Sequence, residues 1–226
     1  MIPLRDNVPT RRFPVVTVGL IVVNALVFFL YEAPDLNGAV NQLAFHPCEV
    51  NDSCPVVGQD WPVTVFTSMF MHASIVHLAG NMLFLWIFGN NVEDAFGRVR
   101  YLIFYLLAGL AATALQTAIT LSTSPEGADI PNLGASGAIS GVLGAYLVLL
   151  PGAKVLTLFF FFFLREIPAM IFLGIYFAFQ LWDAGFQFLH PPAGGGVAVF
   201  AHVGGFVFGV VTALVLRPRV PVRPSY

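Results

Sequence analysis

Residues Pro131 to Pro151 read PNLGASGAISGVLGAYLVLLP, an apolar run between two prolines that opens on Gly134 and Ser136. Gly134 and Ser136 suit the start of a helix better than its middle, so the run predicts a helix over 135–150. A helix of about 16 residues covers only about 24 Å. A bilayer's hydrocarbon core is about 30 Å thick. If this helix lies in a membrane, its first residue is sunk below one surface. Backbone at that depth is tolerated only where it is buried in protein or lines a wet cavity. The stretch therefore predicts an aqueous pocket with Ser136 at its floor, provided that the chain is a membrane protein.

Composition answers that condition. Of 226 residues, 58% are hydrophobic and only 10% are charged, against about 25% charged in an average soluble protein. A single core of this size cannot enclose so much apolar surface. Mean hydropathy is +0.82, which points to a bilayer as the solvent. The net charge of −2 offers no basic field for nucleic acid. Six segments qualify as spans or nearly so: 15–31, 63–89, 101–121, 135–150, 167–182 and 197–216. The expected fold is an all-α membrane protein, a bundle of six transmembrane helices over 15–216. A cytoplasmic segment 1–14 precedes it, an external loop 32–62 interrupts it, and a cytoplasmic tail 217–226 follows. Val155 to Leu164, with five consecutive Phe, is too short to cross and reads as an interfacial segment, with Pro168 in the first turn of the fifth span.

Six crossings place all ten basic residues on one side: Arg5, Arg11, Arg12, Arg98, Arg100, Lys154, Arg165, Arg217, Arg219 and Arg223. Segments 32–62, 122–134 and 183–196 carry no Lys or Arg. By the positive-inside rule both termini are expected in the cytoplasm, in a bacterial inner membrane. The first span has basic flanks and no small-residue cleavage site after it, so it reads as retained. Cys48 and Cys54 share the external loop, where a local disulfide can form. A metal site with His46 would lack a fourth ligand.

Polar residues inside spans carry the information, because each is costly unless partnered or wet. They are His72, His77 and Asn81 in span two, Ser136 and Ser140 in span four, and His202 in span six. Counting back from the cytoplasmic helix ends at 1.5 Å per residue puts Ser136 and His202 both roughly 21 Å up, and His77 roughly 18 Å up. Three helices thus deliver polar groups to one layer. Gly137 and Gly141 form a small-residue face on span four, and Gly205 and Gly209 share a side of span six with His202. Such faces let helix backbones touch in membranes. Some of these residues have bland readings. Ser140 can bond its own helix carbonyl, His72 can be a structural interhelical partner, and His190 suits a surface loop.

A serine beside a histidine is the nucleophile-plus-base pair of acyl transfer. His202 would take the Ser136 proton during attack on a carbonyl and return it to the leaving amine. No carboxylate is at hand to make a triad, and the dyad calls for no metal or cofactor. His77, Asn81 and the Ser136 N–H can serve as oxyanion donors, with Asn81 one turn from His77.

At this point the sequence resembles the rhomboid family of intramembrane serine proteases. The resemblance rests on the GASG run ending in Gly137, the HxxxN of His77 to Asn81, and the AHxxG of Ala201 to Gly205 followed by Gly209. Glu93-x-x-x-Gly97 followed by Tyr101 is similar to a further pattern of the family. The resemblance covers about 63–216. It implies cleavage of single-span membrane proteins near the outer leaflet, with Ser136 as nucleophile, His202 as base, and His77, Asn81 and the Ser136 amide as the oxyanion site. Two positions depart from the family. Val63 and Thr64 stand where many members have Trp-Arg, and Ser140 stands where some have a Tyr stacked on the histidine. The imidazole is then expected to be held by packing against the glycine faces. The segment Ala184–Gly196 is expected to cap the pocket. The alternative is a non-proteolytic relative that binds or escorts membrane proteins, although such relatives usually lack the Ser or the His. A transporter is disfavoured by the lack of inverted repeats and of buried charge along a path.

Overall fold

The computed structural model describes residues 2–56, 58–159, 162–189 and 198–216. His190, the Gly194–Gly196 run of the expected cap and the tail 217–226 lie outside the described residues.

Strand β1 (Ile2–Asp6) precedes helix α1 (Val15–Val27), which runs on through a π-helical turn, Phe28–Glu32. The first loop carries α2 (Leu36–Leu43) and α3 (Trp61–Thr67). Helix α4 (Ile75–Phe84) continues through a second π-helical turn into α5 (Asn90–Phe96), and α6 spans Arg98–Thr123. Then come α7 (Ser136–Leu149), strands β2 (Lys154–Phe159) and β3 (Phe163–Pro168), α8 (Ala169–Leu189) and α9 (Val199–Leu216). Five helical stretches among the described residues are long and apolar enough to cross a membrane: Val15–Glu32, Ile75–Phe96, Arg98–Thr123, Ala169–Phe186 and Val199–Leu216. The sixth, α7, is apolar but has only 14 residues.

Three expectations need correction. The second span starts at Ile75, not at 63. Ser74 is extended there and its hydroxyl accepts the His77 N–H at 3.2 Å, an N-cap that closes the helix off from the separate helix α3. The fold is also not purely helical. Val155–Phe159 and Phe163–Leu164 lie in the two strands of an antiparallel hairpin that pairs Lys154 with Pro168 and Phe159 with Phe163, and the N-terminal segment adds β1 to its other edge. The hairpin's Val155, Thr157 and Phe residues favour a pleated surface. Glu32, expected to open the external loop, instead ends α1 as a buried residue whose carboxylate accepts the His72 N–H at 2.6 Å.

Helix α7 is the centre of the bundle. Every residue from Gly137 to Tyr146 is buried. A helix that is apolar all round belongs inside, and α6 and α9 enclose it. A Cβ on Gly205 would strike the Gly137 carbonyl, and one on Gly209 would strike that of Gly141. Gly144, which the sequence reading passed over, meets the Phe206 carbonyl in the same way. On the α6 side, a Cβ on Gly137 would lie 2.6 Å from that of Ala112, and Ala108 stands against Gly141. With no hydrophobic force between helices in lipid, such contacts are what dispersion can act on.

Two polar clasps hold the periphery. Glu93 at the end of the second span receives the Val16 N–H at 3.0 Å and the Thr17 N–H and hydroxyl at 2.8 Å each, capping the start of α1. Asp6 on β1 receives the Tyr146 hydroxyl of α7 at 2.6 Å and the Asn91 amide at 2.7 Å. Burial pushes the Asp6 carboxyl above its ordinary value, and the Tyr146 hydrogen bond offsets part of that rise.

Candidate active site

Ser136 is the first residue of α7, and the segment before it is fixed on two sides. Phe45 and Asn132 exchange backbone hydrogen bonds of 3.3 and 2.7 Å, and the Cys48 N–H reaches the Ala128 carbonyl at 3.0 Å. Cys48 and Cys54 are joined by a disulfide, which closes a short ring at the residue that makes the second of these contacts. The Gly134 N–H donates to the Ser68 carbonyl at 2.9 Å. Gly134 has φ +130°, a conformation that side chains rarely adopt. The sharp turn there lets the chain enter α7 with the Ser136 side chain facing the interior.

His202 stands in the first turn of α9. Its Nε2 lies 2.7 Å from Ser136 Oγ. The glycine contacts between α7 and α9 make this possible, since larger residues would hold the two backbones apart. Gln116 on α6 accepts the Ala201 N–H at 3.2 Å and thereby fixes the start of α9. On its other side, His202 Nδ1 lies 3.0 Å from Oε1 of Gln180 on α8. Sequence reasoning missed Gln180, because a single amide on an apolar helix carries no motif. The imidazole is therefore oriented by a hydrogen bond to α8, while the glycine faces bring the backbones of α7 and α9 together. Ser140 faces the Tyr176 hydroxyl of α8 at 3.4 Å, not its own helix carbonyl.

Ser136, His202, His77, Asn81 and Gln180 line one cleft of about 750 Å³, with Phe84, Ile139, Leu143 and Tyr176 among its apolar walls. That volume lies in the range of small-molecule and peptide sites. A Cβ placed on Gly134 would stand 3.3 Å from His77 Nε2 and 3.6 Å from Ser136 Oγ, so these two groups face each other across the bare glycine. Asn81 Nδ2 is buried at the cleft wall with no hydrogen-bond partner. The helix dipole adds positive potential at the α7 N-terminus, where Ser136 sits. His72 lies apart from this cleft lining. It is fully buried and packs edge-on to His77 at 5.1 Å, with neither ring nitrogen hydrogen-bonded.

The site therefore holds a hydroxyl against an imidazole, with His77 and Asn81 lining the same cleft. Comparison with known proteins gives the same direction. Residues 59–219 match the family model of the rhomboid domain. "Rhomboid protease GluP" of Bacillus subtilis (strain 168) is 33% identical over 208 residues, which cover 90% of this chain and 35% of that protein. "Presenilin-associated rhomboid-like protein, mitochondrial" of Homo sapiens is 28% identical over 200 residues, 85% of this chain and 46% of that protein. "Rhomboid protein 1, mitochondrial" of Saccharomyces cerevisiae is 31% identical over 153 residues, 66% of this chain and 40% of that one. The chain thus spans half or less of the length of each of these relatives. The matched region contains α4 to α9 and with them Ser136, His202, His77, Asn81 and Gln180 of the cleft. This chain belongs to the rhomboid family and is an integral membrane protein.

Proposed function

We propose that the protein is an intramembrane serine endopeptidase that cleaves the transmembrane segments of single-span membrane proteins near the outer leaflet. The observation that carries this reading is the 2.7 Å contact between Ser136 Oγ and His202 Nε2 at the wall of the cleft. The name of the Bacillus relative, a rhomboid protease, supports it.

In the proposed reaction, His202 Nε2 takes the Ser136 proton as Oγ attacks the scissile carbonyl. The negative charge that develops on the carbonyl oxygen is met by the His77 ring, the Asn81 amide and the Ser136 N–H. One such donor is typically worth about 10²–10³ in rate. The protonated imidazole then gives its proton to the leaving amine, and the amine-side fragment departs. Water repeats the sequence on the acyl-enzyme and frees Ser136. The substrate segment would lie along the apolar walls of the cleft. Both termini would face the cytoplasm, since the basic residues all fall on that side of a six-span arrangement, and the membrane would be a bacterial inner membrane.

The test is reconstitution of the full chain in vesicles with a panel of single-span reporters, plus labelling with a fluorophosphonate. Cleavage and labelling by wild type, with both lost in Ser136→Ala, is the expected result. Folded wild-type protein that neither labels nor cleaves any reporter would favour the escort reading.

A further inference from the structure

A neutral imidazole carries its proton on one nitrogen only, and only one of the two forms can act as a base toward Ser136. With the proton on Nδ1, Nε2 offers its lone pair to the serine hydroxyl. With the proton on Nε2, that nitrogen can only donate to the Ser136 oxygen across 2.7 Å and has no lone pair to take up the serine proton. What decides between the forms is the partner of Nδ1, and in this protein that partner is Gln180 Oε1 at 3.0 Å.

We propose that Gln180 is a positioning residue, which holds His202 in the Nδ1–H form through a hydrogen-bonded chain that crosses three helices. Tyr176 lies one turn before Gln180 on α8, and both side chains line the cleft beside His202. The Tyr176 hydroxyl is 3.4 Å from Ser140 Oγ. One arrangement uses every group: Tyr176 O–H donates to Ser140 Oγ, Gln180 Nε2–H donates to the Tyr176 oxygen, and Gln180 Oε1 accepts from His202 Nδ1–H. His202 Nε2 then accepts from Ser136 Oγ–H. In that arrangement the phenol would occupy the Gln180 NH₂ group and leave the amide oxygen for the imidazole, where Oε1 stands 3.0 Å from Nδ1. A buried amide turned the other way would set its NH₂ against Nδ1 and favour the unproductive form. The chain starts at one serine of α7, passes over α8 to α9, and returns to the first serine of α7.

The helices that carry these groups are fastened near them. Phe177 of α8 stacks on Phe206 of α9 with ring centroids 4.1 Å apart, and Phe84 of α4 packs on Tyr176 at 6.0 Å. Those apolar contacts set the height of α8 beside α9, which brings Gln180 level with His202. Tyr176 and Gln180 thereby supply from α8 an orienting contact that, with Ser140 at its position, α7 does not provide.

The role in turnover rests on Ser136 being the nucleophile, as proposed above; the imidazole form does not. The experiment therefore has two arms on the full chain, with wild type, Gln180→Leu and Gln180→Glu. In the first, ¹⁵N-histidine NMR of the protein in detergent reads the protonation pattern of His202, assigned by comparison with His202→Ala. The expected pattern is Nδ1–H in wild type and in Gln180→Glu, whose carboxylate can only accept, and a loss of that pattern in Gln180→Leu. In the second, reporter cleavage and fluorophosphonate labelling are measured. Gln180→Leu should lower kcat and the labelling rate by about 10- to 100-fold with KM unchanged, the range seen when a residue that orients a functional histidine is removed. Gln180→Glu should restore most of that loss. Wild-type protein with the proton on Nε2 would overturn the proposal, and so would equal cleavage rates in wild type and Gln180→Leu. If wild type shows the Nδ1–H form but Ser136→Ala still cleaves, the protease reading fails while the assigned role of Gln180 in orienting His202 stands.

Discussion

Replacing Glu93 tests how the first span is fastened to the second. Glu93 is buried at 3% exposure, and its two carboxylate oxygens receive two backbone N–H groups and one hydroxyl at the start of α1. In Glu93→Ala the N–H groups of Val16 and Thr17 lose their acceptors, and Thr17 is fully buried. Each buried donor left unpaired costs about 1–3 kcal/mol. Removing a negative charge from a helix N-terminus costs about a further 0.5–1 kcal/mol. The hydroxyl of Thr17 can turn to another carbonyl, so it adds little. The expected loss is about 4 kcal/mol, or about 10 °C in Tm for a chain of this length. Glu93→Gln keeps one acceptor oxygen and offers an NH₂ where the other stood, so about half of that loss is expected. The assay is thermal unfolding of purified protein in a mild detergent, followed by tryptophan fluorescence. A Glu93→Ala midpoint within about 2 °C of wild type would refute the reasoning. So would a Glu93→Gln variant as stable as wild type, which would mean that the carboxylate is not what holds α1.

Three further outcomes follow from the same structure. Gly134→Ala should leave folded protein that cleaves at least about 100-fold more slowly, because the new methyl sits where an oxyanion would meet its donors, 3.3 Å from His77 Nε2 and 3.6 Å from Ser136 Oγ, on a residue with φ +130°; reporter cleavage beside a Tm measurement checks it. Replacing Cys48 and Cys54 together by Ser should lower stability by about 2 kcal/mol, the loop-closure value for so short a ring. Detergent unfolding reads that loss, which reduced wild-type protein should match. Asp6 titrates above its ordinary value because it is buried. The stability it contributes is therefore fully present below its unfolded-state value and lost as pH rises through the raised one. Hydrogen exchange of the β1 amides, corrected for the intrinsic pH effect, should show tighter docking at acid pH in wild type and a flat profile in Asp6→Asn.

The sequence was legible wherever a residue is costly in lipid or restricts how close two helices come. Ser136, His202, His77 and Asn81 stood out because polar groups in apolar helices need a reason, and the structure lines one cleft with all four. Gly137, Gly141, Gly205 and Gly209 stood out because their spacing repeats along one side of a helix, and each meets backbone or a small side chain at the α7 interfaces. The hairpin after α7 was not legible. A run of Phe and Leu with no alternation reads equally well as an interfacial helix or a strand, and the pairing with β3 and with β1, far away in the chain, settles it. The start of the second span was misjudged because hydropathy runs smoothly through residues 63–74, whereas the break depends on one Ser74 side chain capping α4. Gln180 escaped for a related reason. An amide one turn below Asp183 near the end of an apolar helix looks like a residue reaching for the surface, and its partner is fixed only when α8 docks on α9.

The contact between Ser136 and His202 spans two helices, so its length is set by how close α7 and α9 come. A hydrogen bond of 2.7 Å tolerates only a few tenths of an ångström before it weakens. The interhelical distance must therefore be fixed to that precision by something harder than side-chain packing. Carbonyls of Gly137 and Gly141 resting on the bare Cα atoms of Gly205 and Gly209 supply it, because backbone against backbone has no rotamer to adjust. His202 lies three residues before Gly205, about one helical turn, and Ser136 immediately precedes Gly137. The rigid contact thus begins beside the reacting pair and extends away from it along the helices. A methyl group added at Gly205 or Gly209 would act on that pair by lifting α9 off α7, without touching any atom of the cleft. The glycines that allow these helices to associate in lipid are, on this geometry, also what sets the distance between hydroxyl and imidazole.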